Sequence, residues 1–205
     1  MPPTVGAILA GGLARRFGGG DKALRLVAGR TVLSRLVERL GPQVTRVILN
    51  ANGDPLRFAA AGLPVIADCL PGYLGPLAGV LAALDWAAES NAAWVVTVPG
   101  DAPFVPRDLV ALLHAARRRE DATFACAASN GRTHPVVALW PVSVREALRV
   151  AVAREGIRTV DLFMRRHPRS LVIWSADPVD PFFNVNTPDD QAEANRLATL
   201  HPAFS

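Results

Sequence analysis

The amino-acid sequence predicts an α/β protein, a three-layer α/β/α fold around a mostly parallel central sheet. Two observations carry that expectation. Short apolar runs alternate with segments of helical period about a dozen residues long, the order that lays helices over both faces of a parallel sheet. Polar stretches rich in glycine or proline follow several of those runs, where an open α/β sheet receives its ligands.

Val5–Leu9 reads as a short buried strand, and a glycine-rich loop through Gly20 follows it. Thr31–Leu40 is apolar at 32, 33, 36, 37 and 40, one face of a helix, and Gly41-Pro42 ends it. Val44–Asn50 is the next strand. After the turn Asn52-Gly53-Asp54 comes a short helix-like segment closed by Gly62, then strand character over Leu63–Ala67. Pro76–Glu89 is a helix with proline in its first turn. Trp94–Val98 is a strand, and Pro106–Arg117 a helix opened by its proline, with Asp108 inside it. Ala122–Ala127 and Val136–Trp140 read as strands, and the Asn130-Gly131 turn between them suggests an antiparallel pair. Helices over 143–154 and 159–166, a strand Leu171–Trp174 and a helix Pro188–Leu200 complete the order. Thr187 and Asp190 have the spacing of a capping box for that last helix. No repeat or long linker divides the chain, so residues 1–205 are expected to form one domain.

The balance of 22 basic and 18 acidic residues is mildly positive, and the charges interleave. Arg117–Arg119 and Arg165–Arg166 lie late in helical segments without interleaved aromatics, as solvated faces do, so nucleic-acid binding is not expected. No apolar run nears the ~20 residues of a membrane span, and residues 5–10 are too short for a signal-peptide core. A cytoplasmic protein is the expectation. Cys69 and Cys126 have neither metal-ligand spacing nor a disulfide framework, and Cys69 is expected to be a small buried hydrophobe.

Lys22 is the only lysine among the 22 basic residues, and it ends the stretch Leu9-Ala10-Gly11-Gly12-Leu13-Ala14-Arg15-Arg16-Phe17-Gly18-Gly19-Gly20-Asp21-Lys22. Glycines let backbone amides wrap an anion without side-chain collision, and a compact ammonium suits a phosphate. Asp21-Lys22-Ala23 lacks the hydroxyl residue of a Walker loop, and the two glycine groups are too far apart for a dinucleotide fingerprint. Asp101, in Pro99-Gly100-Asp101-Ala102-Pro103 after an apolar strand, is a stiffly held carboxylate suited to Mg²⁺ against phosphate oxygens. Asn50 and Asp68 each follow a predicted strand and can line one crevice. There an aspartate can accept from guanine N–H groups while amides near Gly75 donate to its carbonyl; turn and cap roles are the plainer alternative. Asn184 and Asn186 share a face if their segment is extended, where they can orient an acceptor or a metal-bound water. His134, before Pro135, has either an acceptor-side role or a turn and packing role. No serine sits in a nucleophile elbow.

Taken in order, Leu9-Ala10-Gly11-Gly12, Arg16, Gly18-Gly19-Gly20-Asp21-Lys22, Asn50, Asp68, Gly75-Pro76-Leu77-Ala78-Gly79, Asp101, His134-Pro135 and Asn184-Val185-Asn186-Thr187-Pro188 resemble the molybdenum cofactor guanylyltransferases, the MobA family. The resemblance spans nearly the whole chain; Phe17 stands where the family often has methionine. It implies a nucleotide-binding, nucleotide-diphospho-sugar-transferase-like fold that joins the GMP portion of GTP to molybdopterin, with Mg²⁺ as cofactor. By the same resemblance Lys22, Arg16 and Asp101 would be catalytic, with Asp101 the metal ligand. Leu9, Ala10, Gly11, Gly12, Asn50, Asp68, Gly75, Pro76, Leu77 and Gly79 would complete the GTP site. His134, Asn184 and Asn186 would face molybdenum-molybdopterin. A monomer is expected, and molybdenum-insertion and molybdoenzyme-maturation proteins would be further partners. The rival expectations are a CTP- or UTP-dependent transferase acting on a pterin or sugar phosphate, and a nucleotide-regulated binding module without catalysis.

Overall fold

A computed structural model describes residues 1–11, 20–72 and 75–204. β1 (Thr4–Leu9), β4 (Arg46–Asn50), β5 (Val65–Ile66), β6 (Trp94–Pro99), β7 (Phe124–Ser129), β8 (Arg132–Pro141) and β9 (Arg169–Trp174) form one sheet in the order β5-β4-β1-β6-β8-β7-β9. All neighbours pair in parallel except β8, which runs antiparallel to β6 and β7. The expected Asn130-Gly131 hairpin produces that reversal; both residues have positive φ, 46° and 70°, as a tight hairpin turn requires. β2 (Leu26–Val27) and β3 (Arg30–Thr31) make a separate small ribbon.

Period-two alternation divides the strand side chains between two cores. Ile8, Val47, Leu49, Val96, Val98, Val137 and Leu139 face α1 (Val32–Leu40), α3 (Leu109–Arg119) and α6 (Pro188–Leu200). Val5, Ala7, Ile48, Val95, Ala138 and Trp140 face α2 (Pro76–Glu89), α4 (Arg145–Ala153) and α5 (Val160–Met164). Each fully buried aliphatic contributes roughly 1.5–3 kcal/mol, so two-faced burial dominates the stability of the sheet. Two polar pairs lie inside these cores: Trp140 Nε1 donates to Thr97 Oγ1 at 3.0 Å, and Thr4 Oγ1 meets His114 Nε2 at 2.9 Å. Burial pushes the His114 imidazole down to about 4, so it is neutral and structural. Among the described residues no helix is long and apolar enough to cross a membrane.

Three expectations change. α3 begins at Leu109, not Pro106. Leu109 N donates to Pro106 O across a turn, leaving Asp108 at the N-cap position. Asp108 does not cap; its Oδ1 accepts from Trp174 Nε1 at 3.1 Å. Cys69 is exposed, because it lies in the irregular stretch after the two-residue β5 and not in either core. Arg117 is not simply solvated, since its guanidinium stacks over the Trp94 ring at 4.8 Å. The capping box of α6 forms as expected, with Asp190 N donating to Thr187 Oγ1 and Thr187 N to Asp190 Oδ2.

α1 buries two arginines, Arg35 and Arg39, beside its apolar face. Arg35 donates twice to Val27 O and Arg39 Nε donates to Val105 O, so the helix pins the β2–β3 ribbon and the segment after Asp101. Both connections abut the cluster described next.

Candidate active site

The carboxyl ends of β1, β4 and β6 lie side by side, and their connections meet there. Ala10 N donates to Asn50 O and Gly100 N donates to Leu9 O, which closes the three strand ends into one rim. A side chain at Gly100 would meet Ala10 Cβ at 3.1 Å and Leu9 O at 3.2 Å, so only glycine lets the rim close this tightly. A small cavity of about 80 Å³ opens over it, with Leu9, Ala10, Lys22, Gly100 and Asp101 in its wall.

Lys22 opens a 3₁₀ turn, Lys22–Leu24, and reaches across the rim. Its Nζ lies 3.2 Å from Asp101 Oδ2 and also donates to Asn186 Oδ1. The three residues are 79 and 164 positions apart along the chain, counted from Lys22. Burial raises the Asp101 pKa from its ordinary value, opposed by the Lys22 charge. A largely buried carboxylate with one ammonium partner is a poor place for an isolated anion and a suitable one for a divalent cation. Among the described residues no cluster of three His, Cys, Asp or Glu could hold a metal by protein ligands alone. That donor set fits Mg²⁺, which commonly takes one or two carboxylates and fills its shell with phosphate oxygens and water.

Val185 explains how the two asparagines are presented. Its side chain is buried in the core and its N–H donates to Asp101 O at 2.8 Å, which turns its neighbours outward. They then divide. Asn186 joins Lys22 and Asp101, whereas exposed Asn184 lines a separate cavity of about 200 Å³ with His134, Thr133 and Phe182. The expectation of an acceptor-side pair thus becomes one asparagine at each of two adjoining places.

On the other side of β1, Asn50 Nδ2 donates to Asp68 Oδ1 at 3.0 Å. Asn52 grips the same aspartate reciprocally, through Nδ2 to Oδ2 at 2.8 Å and from Asp68 N to its own Oδ1 at 2.9 Å. Each Asp68 oxygen therefore accepts one amide hydrogen and keeps capacity for another. Gly75 has φ +75° at the N-cap of α2, and Pro76 occupies the first turn, so the helix opens beside this group. Leu77 is buried in the core. Gly79 receives Asn50: an added Cβ would lie 2.2 Å from Asn50 Oδ1. Gly79→Ala is therefore expected to displace Asn50 and to lower stability by roughly 1–3 kcal/mol, an overpacking cost, despite the better helix former. Urea unfolding measures this, and an unchanged midpoint would show that Asn50 relaxes freely.

Two residues of the site were not legible in the sequence: Asn52, read only as a turn residue, and Arg57. Arg57 Nε donates to Asp21 Oδ2 at 2.7 Å and its Nη2 to Asn52 O at 2.6 Å, tying the end of the glycine-rich loop to the Asn52–Asp68 turn. No motif signals such a tie. Gly12 and Arg16, both expected at phosphate, lie outside the described residues.

A mostly parallel sheet whose strand ends gather an ammonium, a largely buried carboxylate and an amide belongs to a recognisable class, the α/β nucleotidyltransferases. The model of the MobA-like NTP transferase domain matches residues 6–169. The molybdenum cofactor guanylyltransferase of Rhodopseudomonas palustris strain HaA2 is 57% identical over 203 residues, covering 98% of this chain and 94% of the relative. The crystal structure of molybdopterin-guanine dinucleotide biosynthesis protein A from Archaeoglobus fulgidus aligns with a TM-score of 0.75 at 22% identity, over 96% of this chain and 99% of the other. That of 2-C-methyl-D-erythritol 4-phosphate cytidylyltransferase from Thermus thermophilus aligns at 0.66 and 23%, over 97% and 100%. The two structures establish the fold alone, and it is shared across different nucleotides. With the domain match and the 57% identity, the chain belongs to the MobA-like NTP transferases, in the family of the molybdenum cofactor guanylyltransferases.

Proposed function

We propose that this chain transfers the GMP portion of GTP to molybdenum-molybdopterin, forming molybdopterin guanine dinucleotide and releasing pyrophosphate. The observation that most supports the reading is the meeting of Lys22, Asp101 and Asn186 at the rim, in a chain so close to a guanylyltransferase along its whole length. Residues 1–205 act as one catalytic unit in the cytoplasm, with molybdenum-insertion and molybdoenzyme-maturation proteins as partners.

The acceptor's phosphate is already an oxyanion, so no protein nucleophile is needed. An oxygen of that phosphate attacks the α-phosphorus in line; the new P–O bond forms as the bond to the β-phosphate bridge breaks, and pyrophosphate departs. Lys22 has three N–H donors, and Asp101 and Asn186 orient it by taking two, which leaves one for phosphate oxygen. Asp101 would hold Mg²⁺, which when bound neutralises phosphate charge. Leu9 and Ala10 line the cavity with the Ala10 N–H already given to Asn50 O, so Gly11 and Gly12 are the main chain left for the phosphates, with Arg16 as a second cation. Asp68, positioned by Asn50 and Asn52, accepts from the guanine edge, and the main chain at the start of α2 serves its carbonyl. Positioning and fixed electrostatics carry the catalysis.

The test supplies molybdenum-loaded molybdopterin with each of the four nucleoside triphosphates and Mg²⁺, and measures pyrophosphate and the dinucleotide product. GTP is expected to be strongly preferred. Preference for CTP would defeat the guanine assignment, and tight GTP binding with no transfer would return the reading to a binding module.

A further inference from the structure

His134 carries a support that the transfer chemistry does not use. Ser129, at the end of β7, is buried, and its Oγ donates to Asp180 Oδ1 at 2.8 Å. The same Oγ lies 2.8 Å from His134 Nε2. A serine hydroxyl has one hydrogen; with that hydrogen given to an acceptor-only carboxylate, the contact with the ring requires Nε2 to be the donor. The neutral imidazole then carries its lone pair on Nδ1, which has no hydrogen-bond partner among the described residues. His134 borders the cavity that also holds Asn184, Thr133, Pro99 and Phe182, and its ring packs on Phe182 with centroids 4.8 Å apart. Burial keeps the ring's pKa below the ordinary histidine value, with Arg132 adding to that and Asp180 opposing it.

Asp180 has a second tie. Its Oδ1 also accepts from Phe182 N at 3.0 Å, at the start of the turn that leads to Asn184 and Asn186. One carboxylate thus ties both the histidine, through Ser129, and the chain carrying Phe182 and Asn184, which also line the cavity.

We propose that Ser129 and Asp180 are positioning residues that hold His134 as its Nε2–H tautomer, so that Nδ1 accepts a hydrogen bond from a ring or amino N–H of the pterin acceptor. The inference rests on the transfer to molybdopterin proposed above. It assigns the cavity beside Asn184 to the pterin ring, whose edge is rich in N–H donors. GTP, bound across β1, is not held by this group.

Two measurements test it. Long-range ¹H–¹⁵N spectra of the wild-type chain near pH 7.5, with the His134 signal identified by its loss in His134→Gln, report the tautomer without any substrate. The expected pattern is Nε2 protonated and Nδ1 bare; a bare Nε2 would overturn the proposal whatever the enzyme does. Steady-state kinetics of Ser129→Ala should then show the KM for molybdopterin rising about five- to ten-fold, the size of one net hydrogen bond, with the KM for GTP unchanged. A matching rise in both constants would mean general loosening and would reject the specific role, as would no rise in either. Asp180→Ala should reproduce the acceptor effect, since Ser129 is then free to reverse its hydrogen. If wild-type chain with molybdenum-loaded molybdopterin makes no dinucleotide, the transfer reading fails, and the spectrum still decides the tautomer.

Discussion

Lys22→Ala is expected to lower turnover at saturating GTP and acceptor by ~10²-fold or more, about what the loss of an oriented donor at a developing anion costs. The effect should fall on turnover more than on GTP affinity, because the guanine contact proposed for Asp68 is left in place. Lys22 is held at its Nζ by Asp101 and by Asn186, so its remaining donor is aimed before substrate arrives. Arginine should not rescue it: a planar fork cannot occupy the point between two oxygens that a compact ammonium fills. Single-turnover measurement separates chemistry from product release, and near-wild-type turnover in the alanine variant would remove Lys22 from the mechanism.

Asp101→Asn is expected to shift the Mg²⁺ activation curve to at least ~10-fold higher concentration and to lower activity at any fixed metal level, since a neutral amide oxygen is a weaker ligand for a hard cation. The same substitution should stabilise the metal-free protein. The folded-state pKa of Asp101 is raised, with burial the largest cause, so the folded chain binds its proton more tightly than the unfolded chain does. Stability from this group therefore falls as pH rises through the interval between the two values, and above it the wild type bears the cost of a buried charge. In chelator-treated samples at pH 7 the variant should melt higher, the difference shrinking below the carboxylate range. An unchanged metal titration would exclude Asp101 as the ligand; a variant that melts lower would show that the Lys22 contact outweighs burial.

The order of elements was legible because alternation and period are local properties. α2 and α6 begin and end where proline, the capping box and polar residues say they should. The start of α3 was not, since Pro106 is compatible with both a helix opening and a preceding turn, and Trp174, 66 residues away from Asp108, engages the aspartate outside the helix. In the site, Lys22 and Asp101 stood out by residue type and place after a strand. Asn52 and Arg57 did not, because their roles rest on gripping Asp68 and Asp21, partners that no spacing pattern names. Arg35 and Arg39 were hidden similarly: a helical period reports which face is buried, and the carbonyls that make two buried arginines tolerable come from Val27 and Val105.

Taken alone, the sequence determined the α/β alternation, the antiparallel hairpin at Asn130-Gly131, the phosphate-suited loop ending in a single lysine and the carboxylate after β6, since each is written in contiguous residues. Only the tertiary structure decided that Asn186 belongs with Lys22 while Asn184 belongs with His134, and that Ser129 stands between His134 and Asp180. Those assignments depend on hydrogen bonds between residues far apart in the chain, and direction and distance in such bonds exist only once the two cores have brought the strand ends together.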